Sequence, residues 1–299
     1  MTKRADHVPL GMLFMVLSTV AFAVSSAISK WQVSSYSFAE VLFFRAIASL
    51  VTCGVLILPR TGLGILRTAR LRDHVGRNLM QGVAQSAIVI AFGMMSLAGA
   101  TAINFSSPLF AALFAAIVLH EKVGPARAGA LIVGFLGVLL VAAPGADIFR
   151  LGAIFALINA VLLGSVTIAV RGMSTTESVE TLTMWQMIIL AIFFTLAVPV
   201  FGFVWPSRDD LAVMLINGTV NAAGQYLWTR SLSLAPASAV APFYYFSLVW
   251  ALVLGFLFWG DLPTLELIAG SAIVVVSGLY LLWHESSRKP VTIRNESGG

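Results

Sequence analysis

Apolar stretches long enough to cross a lipid bilayer follow one another along this chain almost end to end, and that spacing leaves little room for any other fold. Hydrocarbon is about 30 Å thick and an α-helix rises about 1.5 Å per residue, so one crossing takes about 20 apolar residues. Ten such stretches fit, at 8–29, 39–58, 76–98, 101–119, 126–143, 151–170, 181–201, 210–230, 238–259 and 265–283. Lipid offers backbone amides no partner, so each stretch is expected to be a helix. The runs are continuous rather than alternating, which excludes a transmembrane β-barrel. Of the 299 residues, 59% are hydrophobic and only 10% charged, against about 25% charged in a soluble domain. A large soluble core does not explain this, because it must still be covered with polar side chains. The expected class is an all-α integral membrane protein.

Lys3 and Arg4 precede an apolar run, and Ala21-Phe22-Ala23 resembles a cleavage site, as in a signal peptide. The same run has a matched partner later in the chain, so it is expected to be the first permanent span. With one cysteine, Cys53, disulfides play no part. Loop charge sets orientation. With the N-terminus inside, fourteen basic residues are cytoplasmic: Lys3, Arg4, Arg60, Arg67, Arg70, Arg72, Arg77, Lys122, Arg127, Arg171, Arg230, Arg288, Lys289 and Arg294. Only Lys30, Arg150 and Arg208 fall outside, and Arg45 lies within the second span. The positive-inside rule then gives N-in, C-in and an even number of spans. The net charge of +5 follows from this asymmetry and does not call for nucleic acid.

An internal repeat is visible. SLAGATAI (96–103) lies against SLAPASAV (233–240), five identities in eight. GMLFMVLSTVAF (11–22) lies against GAIFALINAVLL (152–163), pairing Gly11 with Gly152, Phe14 with Phe155 and Val20 with Val161. Lys30 then matches Arg171, Glu40 matches Glu180, Glu121 matches Asp261, and Gly129 and Gly137 match Gly270 and Gly278. These matches keep one order, with offsets of 137–141. The repeat is therefore five helices long, over 5–145 and 150–285, with a polar tail from 286 to 299. An odd number of spans makes the second copy enter the membrane inverted. Secondary transporters built this way hold their substrate near the midplane, between the halves.

Ten spans in a 5+5 inverted repeat resemble the drug/metabolite transporter superfamily, in its EamA-type members. Phe43-Phe44-Arg45 in the second span, Ser107-Pro108-Leu109 in the fourth, and Glu121 and Asp261 after the fourth and ninth carry the resemblance. It covers about 5–285. One departure is Trp185, which stands in the seventh span where the second has Arg45. Within the family the general similarity is to YddG-type exporters, which implies export of amino acids including aromatic ones, by alternating access.

Polar residues inside a bilayer are costly and face the bundle interior. Asn78, Gln81 and Gln85 share one face of the third span, and Asn217, Asn221 and Gln225 one face of the eighth. They either line one polar cavity or hydrogen-bond neighbouring helices. Asn104, Ser106, Ser107 and Pro108 in the fourth span correspond to Pro242, Tyr244, Tyr245 and Ser247 in the ninth, where proline can bend the helix. Tyr244, Tyr245, Trp228 and Trp185 could stack on an aromatic ligand, whereas Trp31, Trp205, Trp259 and Trp283 read as interface anchors. The substrate-binding set is thus Asn78, Gln81, Gln85, Asn104, Trp185, Asn221, Gln225, Tyr244 and Tyr245. Arg45 either attracts a substrate carboxylate or pairs structurally with Glu40 or a carbonyl. Gly129, Gly134, Gly137, Gly270 and Gly278 allow close packing of the fifth and tenth spans, within a monomer or across a weak homodimer.

All thirteen carboxylates fall in loops, tails or helix ends, and the four histidines are peripheral. Proton-driven transporters need a titratable group within the membrane, so facilitated movement is expected. No nucleotide-binding loop, catalytic constellation, metal cluster or cofactor motif is evident, and the expected partners are a small-molecule substrate and the bilayer. Other cargoes remain open: a drug, a nucleotide-sugar or a vitamin, by exchange or proton coupling. A more remote alternative is an integral membrane enzyme.

Overall fold

The computed structural model describes residues 8–118, 125–142, 147–235 and 237–286. Among these residues the chain is helical, without strands. The helices are α1 (Val8–Gln32), α2 (Phe38–Thr61), α3 (Leu71–Met94), α4 (Leu97–Asn104), α5 (Ser107–Val118), α6 (Pro125–Ala142), α7 (Asp147–Met173), α8 (Val179–Phe201), α9 (Arg208–Leu234), α10 (Ala237–Tyr244), α11 (Phe246–Trp259) and α12 (Leu265–Ser286). A short 3-10 turn, Leu63–Leu66, joins α2 to α3. His120, Glu121, Lys122 and the tail from 287 lie outside the described residues.

Six described segments are long and apolar enough to cross a membrane, and two shorter apolar helices, Ala128–Ala142 and Leu265–Leu281, accompany them. α3 and α9 fail that apolar test. They are the two helices that carry the amide stripes. Large apolar side chains such as Val55, Leu139 and Val200 point outward, as lipid requires. Trp31, Trp205 and Trp283 are exposed near helix ends, whereas Trp259 packs under the Lys30 ammonium, 5.3 Å from its ring centroid.

Serines start four helices. Ser37, Ser96, Ser178 and Ser207 each accept a backbone N–H from three residues on, as N-caps do. Ser96 explains the displaced end of α3. The 76–98 stretch was expected to be a single helix, but Ser96 opens α4 and α3 ends at Met94.

The fourth and ninth apolar stretches are both broken, between α4 and α5 and between α10 and α11. Pro108 and Pro242 lack the N–H that would extend the ladder. At each break a serine hydroxyl donates to a carbonyl three residues back, Ser106 to Ile103 and Ser247 to Tyr244, both at 2.7 Å. The two breaks meet. Phe105, at the first, lies with its ring 4.9 Å from that of Tyr245, at the second.

The packing exchanges under the sequence pairing. α1 packs on α9 and α7 on α3; α2 packs on α8, and α6 on α12. Gly11 lies against Ala235 at the end of α9, and its partner Gly152 against Met94 and Met95 at the end of α3. Glycines bring α6 and α12 into backbone contact: a Cβ on Gly270 would meet the Gly137 carbonyl at 2.8 Å, and one on Gly137 the Gly270 carbonyl at 3.0 Å. A Cβ on Gly129, by contrast, would meet nothing within 4 Å among the described residues. Replacing Gly270 by valine should therefore cost about 1–3 kcal/mol, read as a lowered melting temperature in detergent. Gly129→Val should leave that temperature unchanged.

Candidate functional site

Polar side chains from four helices converge at one level of the bundle. Arg45 on α2 donates from Nη2 to Gln85 Oε1 on α3 at 2.7 Å, and from Nη1 to Ser29 Oγ on α1 at 3.4 Å. Ser25 Oγ donates to Asn217 Oδ1 on α9 at 2.6 Å, and Asn217 Nδ2 returns to Ser29 Oγ at 3.0 Å. Asn221, one turn further along α9, donates to Ser49 Oγ on α2 at 3.3 Å. Ser49 itself donates to the Gly218 carbonyl at 2.8 Å. Gly218 has no room for a side chain, since a Cβ there would meet both the Arg45 carbonyl and Ala48 at 2.5 Å.

The expected pairing of Arg45 with Glu40 does not occur. Glu40 is fully buried but accepts the Val204 N–H at 3.2 Å instead, and an amide and a hydroxyl hold the guanidinium. Arg45 keeps 9% of its surface exposed, beside half-buried Gln85 and Asn221. Asn217, Ser25 and Ser29 are buried and fully engaged with one another, so they form the floor of this centre.

The other expected residues fall in separate groups. Asn104, beside the first helix break, accepts from Asn159 Nδ2 on α7 at 2.6 Å. Tyr244 packs on Phe105 and, with Trp228, on the Met15–Ala235–Val240 cluster. Tyr245 lies with its hydroxyl against Gly278. Gln81 and Gln225 are half-buried on their stripes. Trp185 does not join the tyrosines; its ring lies 5.8 Å from that of His74 on α3. Asn78 is buried one turn from His74.

Besides Glu40, two residues of α3 expected at the periphery are buried. His74 is fully enclosed, and Arg77 is 3% exposed, donating to the Leu182 carbonyl on α8 at 3.0 Å. Helix α3 begins at Leu71, five residues before the apolar stretch, so both sit on its inner face rather than in a loop. Ser25, Ser29, Gln32 and Asn159 were missed as well. Ser18, Ser25, Ser29 and Gln32 lie at spacings of seven, four and three on α1, one face of a helix. That spacing is the signal that would have found three of the four.

The two ends of the bundle differ. At one end, Arg60, Arg67, Arg70, Arg72 and Arg230 cluster; Arg60 donates to the Tyr226 hydroxyl at 2.7 Å and Arg70 pairs with Asp73 at 2.7 Å. A cavity of about 50 Å³ lies at this basic end, between Cys53, Glu180, Thr183, Tyr226, Thr229 and Arg230. The other end is laced shut. Tyr36 donates to Asp210 at 2.6 Å and Ser37 to the Gly202 carbonyl at 3.2 Å, next to the Glu40–Val204 bond. The bond to Asp210 holds the Tyr36 hydroxyl above its ordinary range. Lys30 caps the C-terminal end of α3 at the same level, donating to the Phe92 and Met95 carbonyls at 2.8 and 2.7 Å. A larger cleft of about 450 Å³, between α3 and α8, is lined only by Val75, Leu79, Ile189, Ile192, Phe193, Leu196 and Ala197, and its wholly apolar wall suits lipid rather than a polar substrate.

Comparison with known proteins agrees with this architecture. A curated riboflavin transporter of Rhizobium johnstonii is 29% identical over 94% of this chain and 93% of its own. An S-adenosylmethionine uptake transporter of Rickettsia conorii is 24% identical over 96% of both chains. A pseudopaline exporter of Pseudomonas aeruginosa is 28% identical over 92% of this chain and 97% of its own. A crystal structure 20% identical in sequence superposes with a TM-score of 0.63, over 96% of this chain and 100% of that one, and so shares the fold. The EamA-like transporter family profile matches twice, at residues 9–143 and 150–283. The chain is a multi-pass membrane protein that belongs to the EamA-like transporter family.

Proposed function

We propose that this chain carries a small polar metabolite with a planar ring across the inner membrane, by alternating access and down its gradient. Ten spans, with the broken helices α4–α5 and α10–α11 each counted as one, form two inverted five-helix repeats over 5–145 and 150–285. The basic end faces the cytoplasm, which gives N-in and C-in. The glycine faces of α6 and α12 are occupied by each other, in keeping with a monomer.

One observation carries the substrate class: the centre is built from amides and hydroxyls around a single guanidinium, Arg45, and aromatic rings stand as a separate group at the helix breaks. Amides and hydroxyls hold many-sided hydrogen-bonding ligands without demanding net charge. The rings offer a stacking surface. Riboflavin and S-adenosylmethionine, the cargoes in two relatives' names, each join a planar heterocycle to a polar arm. Those names favour a metabolite of that kind over the aromatic amino acids suggested by the YddG resemblance. A nucleotide-sugar would call for more cations near the centre.

A second reading, proton coupling, rests on Glu40, which is buried at the laced end with Oε1 unpartnered. Sealed liposomes decide between them. Facilitated transport predicts no uphill accumulation under an imposed pH gradient, whereas accumulation would assign the coupling to a carboxylate.

Counterflow in proteoliposomes against riboflavin, S-adenosylmethionine, phenylalanine, tryptophan and a hexose should show exchange of at least one ring-bearing solute and none of the hexose. Hexose exchange alone would contradict the proposal. Two substitutions separate lining from floor. Asn221→Leu should lower flux about tenfold, a loss of about 1.4 kcal/mol, with little change in melting temperature. Asn217→Leu takes the acceptor from Ser25 and one donor from Ser29 and should cost about 1–2 kcal/mol of stability, seen first as a lower melting temperature.

A further inference from the structure

The amide stripe of α3 continues past Asn78 to the basic end. His74, Asn78, Gln81 and Gln85 follow at i, i+4, i+7 and i+11, one face of a helix. Its two ends differ in how well they are satisfied. Gln85 is bonded to Arg45. Around His74, six buried polar atoms have no partner among the described residues: both His74 nitrogens, both Asn78 amide atoms, Arg77 Nε and Trp185 Nε1. A buried polar group without a partner is strongly disfavoured, and six of them within two turns of α3 and one residue of α8 do not arise from packing alone.

Donors outnumber acceptors in the set. Arg77 Nε, Trp185 Nε1, the Asn78 amide nitrogen and one nitrogen of His74 donate, against two acceptors, Asn78 Oδ1 and the other His74 nitrogen, and Arg77 is a permanent cation. The nearby acids are engaged elsewhere, Asp73 with Arg70 at 2.7 Å and Glu177 with the Thr68 hydroxyl at 2.6 Å. Arg77 is itself anchored through Nη2 to the Leu182 carbonyl, so its Nε is held in place. A planar cation with neutral donors beside it, buried from water, suits an oxyanion.

We propose that His74, Arg77, Asn78 and Trp185 form a second recognition site, between α3 and α8 at the basic end, for a carboxylate or phosphate group. It is distinct from the Arg45 centre. Arg77 and Gln85 are eight residues apart on α3, a rise of about 12 Å. The site catches the anionic arm of a solute at the basic end, one step removed from the centre.

The purified full-length protein in detergent tests this by thermal unfolding in sodium phosphate, sodium phenylacetate and sodium chloride at matched ionic strength. Saturable stabilisation by phosphate or phenylacetate, but not chloride, is expected, and which of the two acts tells phosphate from carboxylate. Arg77→Gln should raise the half-saturating concentration about tenfold. Trp185→Phe, which keeps the ring and removes only the N–H, should raise it about threefold. Arg72→Gln, an exposed cation on the same helix, should leave it unchanged. If Arg77→Gln does not fold, the Trp185→Phe titration decides. Equal stabilisation by chloride, no stabilisation by either oxyanion, or a Trp185→Phe titration that overlays the wild type would overturn the site. No flux is measured, so this result stands apart from the counterflow experiment.

Discussion

A carbonyl released from a helix inside a membrane has no water to turn to, and much of this structure follows from where such carbonyls are placed. Irregular backbone at membrane depth is tolerated only where protein surrounds it or a polar cavity receives it. Pro108 and Pro242 withdraw one N–H from each of two helices, and the chain breaks near both. Ser106 and Ser247 cover part of the deficit with their hydroxyls. Both breaks are buried in one place, Phe105 against Tyr245, so protein rather than lipid surrounds them. The remaining helices are arranged around that junction: α1 crosses α10 and α11, and α7 crosses α4 and α5.

Charge at the centre obeys the same economy. An ion in hydrocarbon is costly unless it is paired or hydrogen-bonded. Arg45 is held by the amide of Gln85 and the hydroxyl of Ser29 rather than by a carboxylate, so its charge stays locally uncompensated. A carboxylate partner would silence that field; neutral partners position the guanidinium and leave it available to a polar solute. The two bundle ends then differ in how firmly they are tied. Hydrogen bonds from Tyr36, Ser37 and Val204 lace one end, while a small cavity lies at the other.

Much of this was legible in the sequence. Hydropathy alone placed the helices to within a few residues, because spanning length is fixed by the bilayer. The amide spacing marked α3 and α9 as the polar helices, and paired prolines marked the broken ones. The failures share a cause. Ser25, Ser29 and Ser49 look like ordinary helical serines that bond their own backbone, and only the neighbouring helix reveals Asn217 and Asn221 beside them. His74 reads as peripheral because the apolar stretch starts at 76, and Arg77 as a cytoplasmic charge at that stretch's edge, yet α3 starts earlier and both are buried. Trp185 was grouped with Tyr244 and Tyr245 by chemistry, whereas helix packing puts it beside His74.

Alternating access requires that the space beside the helix junction be reached from both faces of the membrane in turn. A single cysteine at Gln225, introduced as Gln225→Cys with Cys53→Ser, tests it in oriented vesicles treated with a membrane-impermeant maleimide. Alternating access expects labelling from either face, slowed by a transported solute. Labelling confined to one face and indifferent to solute would contradict it.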